Sequence, residues 1–240
     1  MTEPSKAHLL QLLKEQKRRE SRRHYYQIFP EDGPLSRHNY PKHMEYIRST
    51  AEYSEPAFMS GNRTGKSETA AFIVTACMTG DYRDWWDGVR FEMPIEVWAA
   101  GDTSQTVRDV VQKALLGPIT DIGTGMIPGD LLEGYKKKQG GVPDTIESFA
   151  VKSRFGGLSV CAFKSYDQKR DSFQGTAKHI IWLDEEPPSD VYNECLTRTM
   201  TTNGSVLSTF TPLQGLSDVV LSFMPGGQLP EEVAQENEYN

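Results

Sequence analysis

Cysteine is scarce in this chain. Cys77, Cys161 and Cys195 are the three among 240 residues, with no Cys-x-x-Cys spacing, which leaves neither a disulfide frame nor a zinc signature. The five histidines are scattered, with no pair at metal-ligand spacing. No apolar run approaches the roughly 20 residues that a helix needs to cross a bilayer. The N-terminus lacks the apolar core of a signal peptide, so the expectation is a cytoplasmic protein without a membrane span. Internal repeats are absent. A formal charge of −7 argues against a free-standing, tight nucleic-acid binder.

What is present is a polar globular composition, 37% hydrophobic and 25% charged, long enough for one large domain with a substantial core. Charge is uneven along it. Seven Lys or Arg face two acids from Lys6 to Arg23, and nine face four from Lys136 to Lys178. Those stretches are candidate phosphate-holding surfaces, although a charge run is more often a solvated face.

The chemistry is concentrated in two motifs. Ser60-Gly61-Asn62-Arg63-Thr64-Gly65-Lys66-Ser67 follows the short apolar run Ala57 to Met59 and precedes a helical stretch from Glu68 to Met78. Strand, Gly-bearing loop and helix are the setting of a P-loop. Its backbone N–H groups suit phosphate, Lys66 reaches the β and γ phosphates, and the Ser67 hydroxyl ligates Mg²⁺. The loop is a variant, since Ser60 stands where the consensus has Gly. The second motif is Ile180 to Leu183, an apolar run of the kind a buried parallel strand needs, ending in Asp184-Glu185. Carboxylates at that end of a strand lie where open α/β sheets bind ligands. Asp184 is expected to hold the metal ion and Glu185 to polarise the attacking water. Glu186 reads as a solvated acid. Beyond them, Val206 to Phe210 forms another strand, with Thr209 and Thr211 at its end placed to sense a γ-phosphate.

Between the motifs, Ile95 to Ala100 reads as a strand. A helix over Thr103 to Leu116 follows, with Val107, Val110, Val111, Ala114 and Leu115 on its apolar face. His43 to Ser49 reads as a short helix, and Ser189 as the N-cap of a helix running to Met200. Residues 123–128 and 129–141 read as irregular and mobile. Ile146 to Val151 and Leu158 to Phe163 flank Gly156-Gly157 as a β-hairpin. The alternation predicts an α/β fold with a mainly parallel central sheet flanked by helices, plus that inserted hairpin. Residues 1–29 form a basic helical segment, 30–228 the main domain, and 229–240 an acidic tail or linker.

In these motifs the sequence resembles the large terminase subunits of tailed bacteriophages, in their N-terminal packaging-ATPase domain. The resemblance runs from about Tyr40 to Phe223. It rests on the P-loop, Asp84-Trp85-Trp86, Arg90-Phe91, Trp98-Ala99-Ala100-Gly101 and Arg108-Asp109-Val110-Val111-Gln112. Further matches are Gly123 to Pro128, Phe163-Lys164-Ser165-Tyr166, Phe173-Gln174-Gly175, Trp182 to Pro187, and Thr209-Phe210-Thr211-Pro212 with Gly215-Leu216-Ser217. It implies a P-loop NTPase of the ASCE, RecA-like class, with an added strand and a catalytic glutamate. It also implies a Mg²⁺-dependent ATPase with ATP as its nucleotide, driving double-stranded DNA into a procapsid. The implied setting is the host cytoplasm, transiently at the capsid. The implied partners are the portal protein, the small terminase subunit and copies of the chain itself, monomeric in isolation and a ring when packaging. Thr209 and Thr211 fall in what looks like the family's coupling motif, and Arg63 matches an arginine often found inside the loop.

Two departures stand out. Many relatives carry a base-reading glutamine upstream of the loop, where this sequence has Pro41-Lys42-His43. The clustered metal-binding carboxylates of the family's nuclease are missing, so no DNA cutting is expected from these 240 residues. A ring motor draws an arginine from its neighbour, for which Arg108, Arg154, Arg170 and Arg198 are the candidates. Two other readings compete: a fragment of a DEAD-like DNA helicase, and a nucleotide-binding docking module without turnover. A response of phosphate release to Glu185→Gln separates the module from an enzyme.

Overall fold

The computed structural model describes residues 23–213 and 215–224, together with Leu10, Leu13 and Glu15. Most of the expected N-terminal basic helix and all of the acidic tail over 229–240 lie outside the described residues. The segment that follows the basic stretch joins the core. Helix α1 (His24–Gln27) places Tyr25, fully buried, with its ring stacked 4.7 Å from Phe72, and Phe29 meets the same ring edge-on at 5.3 Å.

Phe72 belongs to the central helix α3 (Lys66–Thr79), whose residues from Thr69 to Thr79 are all buried. A helix apolar on every side must be enclosed on every side. One flank is the sheet. The others are α2 (Pro41–Glu52), the aromatic N-terminal segment and a helix over 104–116, here α4. Helix α2 is longer than the short helix expected from His43 to Ser49, because Pro41 occupies its first turn, where a missing N–H costs nothing.

Seven strands form one sheet in the order β1-β7-β6-β2-β5-β4-β3. They are β1 (Ala57–Met59), β2 (Glu96–Gly101), β3 (Leu132–Lys137), β4 (Ile146–Lys152), β5 (Leu158–Ser165), β6 (Ile180–Asp184) and β7 (Ser205–Phe210). From β1 to β5 all neighbours are parallel, and β4 and β3 add antiparallel at one edge. Strand β7 thus lies between the P-loop strand β1 and the carboxylate strand β6. Both faces of this parallel part are covered, α3 and α4 on one side and α5 (Ser189–Thr199) with α6 (Asp218–Ser222) on the other. Strand β6 accordingly reads as an unbroken apolar run up to Asp184, whereas β7 carries Ser205, Ser208 and Thr209 among its apolar residues and β5 alternates in burial.

Several local expectations are corrected. The stretch over 129–141 is not a free loop: it contains β3, which pairs with β4 through two register shifts. Five of its six residues are exposed, so it has no buried face to print an apolar alternation into the sequence. Residues 123–127 are turned back onto the end of α4, where the N–H groups of Gly123, Met126 and Ile127 donate to the carbonyls of Leu116, Ala114 and Leu115. Within α4 the middle, Val107–Gln112, is a π-helix; Val107, Val111 and Leu115 are buried, while Val110 faces solvent. Ser189 is the first residue of α5 rather than its cap, a position held by Pro188 with no side-chain hydrogen bond. Thr103 does cap α4, in reciprocal hydrogen bonds with Thr106.

Candidate nucleotide site

The P-loop joins β1 to α3. Gly65 enters the helix at φ 86°, a left-handed conformation that costs glycine nothing, and Arg63 inside the loop also has positive φ, 60°. Ser60 is not in that region, so the loop does not require glycine there. Instead the Ser60 hydroxyl stands 2.7 Å from the Thr64 hydroxyl, which also reaches the Gly61 carbonyl at 3.0 Å. The variant residue thus adds a side-chain staple across the loop.

Lys66 is buried, and its ammonium donates to the carbonyls of Ser60 (2.9 Å) and Gly61 (2.7 Å) and to Thr211 Oγ1 (3.1 Å). Thr211 Oγ1 in turn lies 2.9 Å from the Ser60 carbonyl and 2.9 Å from Asn62 Oδ1. Both loop and lysine are therefore tied to the residue just past β7. The second contact between motifs is tighter. Ser67 Oγ donates to Asp184 Oδ1 at 2.7 Å, joining residues 117 positions apart.

Asp184 closes β6 and is 4% exposed. Thr209, its register partner on β7, donates to the same oxygen at 2.9 Å, while Trp182 Nε1 donates to Thr209 Oγ1 at 2.8 Å. Burial pushes the Asp184 carboxyl up to about 6, against the opposing pull of the Ser67 and Thr209 hydrogen bonds. Glu185 is exposed and next in the chain, with φ 67°. Its carboxyl is also raised, first by desolvation, with Lys66 pulling it down and Asp102 pushing it up. Two adjacent carboxylates thus differ in kind: one sunk in hydroxyls, one projecting. A buried carboxylate with a neighbouring hydroxyl is a hard oxygen pair, the donor set of a magnesium ion that keeps its waters. Among the described residues no group of three or more His, Cys, Asp or Glu is placed to hold a metal.

Beside the loop opens a cavity of about 260 Å³ lined by Phe29, Tyr40, His43, Arg63, Gly65 and Thr69, among others. His43 Nε2 lies 2.8 Å from the Thr64 carbonyl and so carries the proton, leaving Nδ1 buried without a partner. The residue at the position of the family's glutamine therefore braces the loop's backbone at the rim of this cavity. Its ring packs edge-on against Phe58 and Tyr40.

The four candidate arginines are in unlike settings. Arg108 forks onto Asp109 (2.7 and 3.1 Å) and donates to the Pro143 carbonyl. Arg170 and Arg198 both grip the buried Glu194, at 2.9 and 2.8 Å. Arg154 is exposed, 3.9 Å from Asp81, and its backbone N–H binds Thr79 at the far end of α3 from the loop. Glu186, read from sequence as solvated, is half-buried: Ser217 Oγ donates to its Oε1, and its Oε2 is enclosed without a partner. The reason is Ser217, which meets it from the start of α6. The three cysteines are buried and free, with thiols pushed up by burial, Cys77 to about 12. Sequence reasoning assigned no role to Tyr166, whose hydroxyl touches the backbone at Asp184 and Glu185; it lies inside a quoted motif, but nothing local marks a phenol that acts two strands away.

The family model of the terminase large subunit, T4-like type, N-terminal part, matches residues 57–235. The large terminase subunit of Salmonella phage P22 is 33% identical over 260 aligned residues, covering all of this chain and 50% of that protein. The chain therefore spans about half the length of the relative it matches. Among solved structures, the large terminase of a thermophilic bacteriophage aligns at 14% identity over 72% of this chain and 38% of that one, with a TM-score of 0.48. A complex of that same phage protein with ADP aligns at 12% identity over 71% and 37%, with a TM-score of 0.45.

Proposed function

The chain belongs to the large terminase subunits of the T4-like type, in their N-terminal part, and from that premise we propose that it is the ATP-hydrolysing motor domain that drives double-stranded DNA into a procapsid. The observation that carries this is the 2.7 Å bond from Ser67 to Asp184. It brings the phosphate loop and the carboxylate strand to one point, where a metal-bound triphosphate has to sit.

The geometry supports the following roles. The N–H groups of 61–67 cradle the phosphates, and Lys66 leaves the loop carbonyls for the β and γ oxygens. Ser67 and Asp184 would hold Mg²⁺, which when bound neutralises charge on the transferring phosphoryl group. Glu185, unlike Asp184, projects from the sheet and is free to orient and deprotonate the attacking water. Arg63, exposed on the loop, would contact the γ-phosphate or a neighbouring loop. The cavity at Phe29, Tyr40 and His43 receives the base, with aromatic edges and faces in place of the family's glutamine. Thr211, bonded to Lys66, and Thr209, bonded to Asp184, place both readouts of the phosphate on one strand end, and so serve coupling. The full assembly would be a ring of such chains on the portal in the host cytoplasm, supplied with DNA by the small subunit. An arginine of the adjacent copy would complete each site; Arg108 and Arg154 are the candidates not committed to Glu194.

Steady-state phosphate release with Mg-ATP, measured across protein concentration, tests the reading. Lys66→Ala and Glu185→Gln should each lower turnover by about 10²- to 10³-fold, and turnover per subunit should rise with concentration. Undiminished turnover in Glu185→Gln would sink the catalytic assignment. A fast rate independent of concentration would remove the trans arginine.

A further inference from the structure

Glu185 is the one carboxylate in the site whose backbone lies in the left-handed region, at φ 67°. A side chain with a Cβ is there against steric preference, and such a conformation persists when its surroundings fix it. Two contacts do so. On one side the Glu185 N–H donates to the Thr209 carbonyl at 3.0 Å, continuing the β6–β7 ladder. On the other, the Tyr166 hydroxyl lies 3.1 Å from the Asp184 carbonyl and 3.0 Å from the Glu185 carbonyl, sharing its one proton between them.

Tyr166 comes from outside this ladder. It follows β5, which is separated from β6 by β2, so the phenol spans a whole strand to reach the turn. Strand β2 ends at that point in Gly101. A Cβ there would stand 3.2 Å from Val107 Cγ2 and 3.4 Å from the Asp184 carbonyl, crowding the acceptor of the phenol. Tyr166 is itself anchored. It is 5% exposed, and the next residue, Asp167, is bound to the end of β2: its N–H donates to the Asp102 carbonyl, and its carboxylate accepts from the Ser104 N–H and the Ser165 hydroxyl.

We propose that Tyr166 is the positioning residue for Glu185: its hydroxyl clamps the two carbonyls of the left-handed turn and so sets where the Glu185 carboxylate stands over the phosphates. The proposal rests on the reading of Glu185 as the group that activates water. Tyr166 touches no reacting atom. Its effect is on the chemical step and not on nucleotide binding, which belongs to the loop and Asp184.

The test is phosphate release by the 240-residue chain carrying Tyr166→Phe, which keeps the ring and removes the clamp. The expected result is a fall in kcat of about tenfold, equivalent to about 1.4 kcal/mol on the barrier, with KM for ATP and the affinity for ADP unchanged. In a Glu185→Gln background the same substitution should cost nothing further in single turnover, because there is no base left to misplace. Para-aminophenylalanine at position 166 restores an N–H donor and should restore kcat; it also decides the matter if the Phe variant does not fold. Parental kcat in Tyr166→Phe, a rise in KM in step with the loss of kcat, an additive loss in the Glu185→Gln background, or a folded para-aminophenylalanine protein as slow as the Phe variant would each overturn the proposal. Parental turnover in Glu185→Gln alone would instead overturn the assignment of the base on which it stands.

Discussion

The two ends of the sheet are built on opposite principles. At the β1-β7-β6 end, buried and half-buried polar side chains hold one another: Trp182 to Thr209, Thr209 and Ser67 to Asp184, Thr211 to Lys66. At the β4-β3 edge charged groups are exposed and paired across the strands, as in Lys136–Glu147 (2.9 Å) and Lys152–Glu133 (2.8 Å). In the first region a lost partner strands a group out of reach of water, and the cost is that of desolvation. In the second, water replaces the partner. The charged edge has its own use, since lysines along an edge strand discourage pairing with another chain. The lesson is that equal numbers of hydrogen bonds carry unequal information: one set fixes a geometry and the other only keeps a surface wet.

The sharpest break of this contrast is Asp184→Asn. The folded carboxyl sits at about 6 against an ordinary 3.8, with desolvation the leading cause. The folded state therefore holds its proton more tightly than the unfolded state does. That contribution to stability is full below about 4 and is lost as pH rises through about 6. At pH 7 the penalty amounts to roughly 3 kcal/mol, from a shift of about 2 units. Without nucleotide or magnesium, Asp184→Asn should melt higher than the parent at pH 7, with the gap closing by pH 4, while turnover is lost. A gap that stays constant with pH would place the carboxyl in water.

A smaller effect is expected at Thr209→Val. It keeps the shape, removes a donor from Asp184 and leaves the buried Trp182 N–H without an acceptor, at a cost of about 1–3 kcal/mol by denaturant unfolding. The smallest is at the far edge. Lys136→Ala combined with Glu147→Ala should change stability by less than about 1 kcal/mol, the range of exposed ion pairs, and leave phosphate release alone. A large loss there would show that β3 is held by more than its ladder.

The same contrast explains what was legible in the sequence. The buried strands print themselves as apolar runs: Ile95 to Ala100, Ile180 to Leu183 and Val206 to Phe210 each coincide with a strand of the sheet to within a residue, and the hairpin from Ile146 to Phe163 is there as expected. Lys66, Ser67, Asp184 and Thr211 were drawn to one place by motif alone, and the structure brings them together in two hydrogen-bonded pairs, Lys66 with Thr211 and Ser67 with Asp184. Strand β3 was not legible, because a strand wet on both faces has no period. Tyr166 and Ser217 were not legible for a different reason. Their partners are chosen by sheet order and by the path after β7, which no local spacing encodes. Ser60 read as a departure from the loop consensus, and becomes a brace only when Thr64 is seen opposite it.

Ser217 has one further consequence. Its oxygen accepts from the Val220 N–H, capping α6, while its proton goes to Glu186, 31 residues upstream. A hydroxyl that gives and takes at once is polarised by each bond for the other. The first turn of a five-residue helix is thereby tied, through a single oxygen atom, to a carboxylate on the loop that leaves β6.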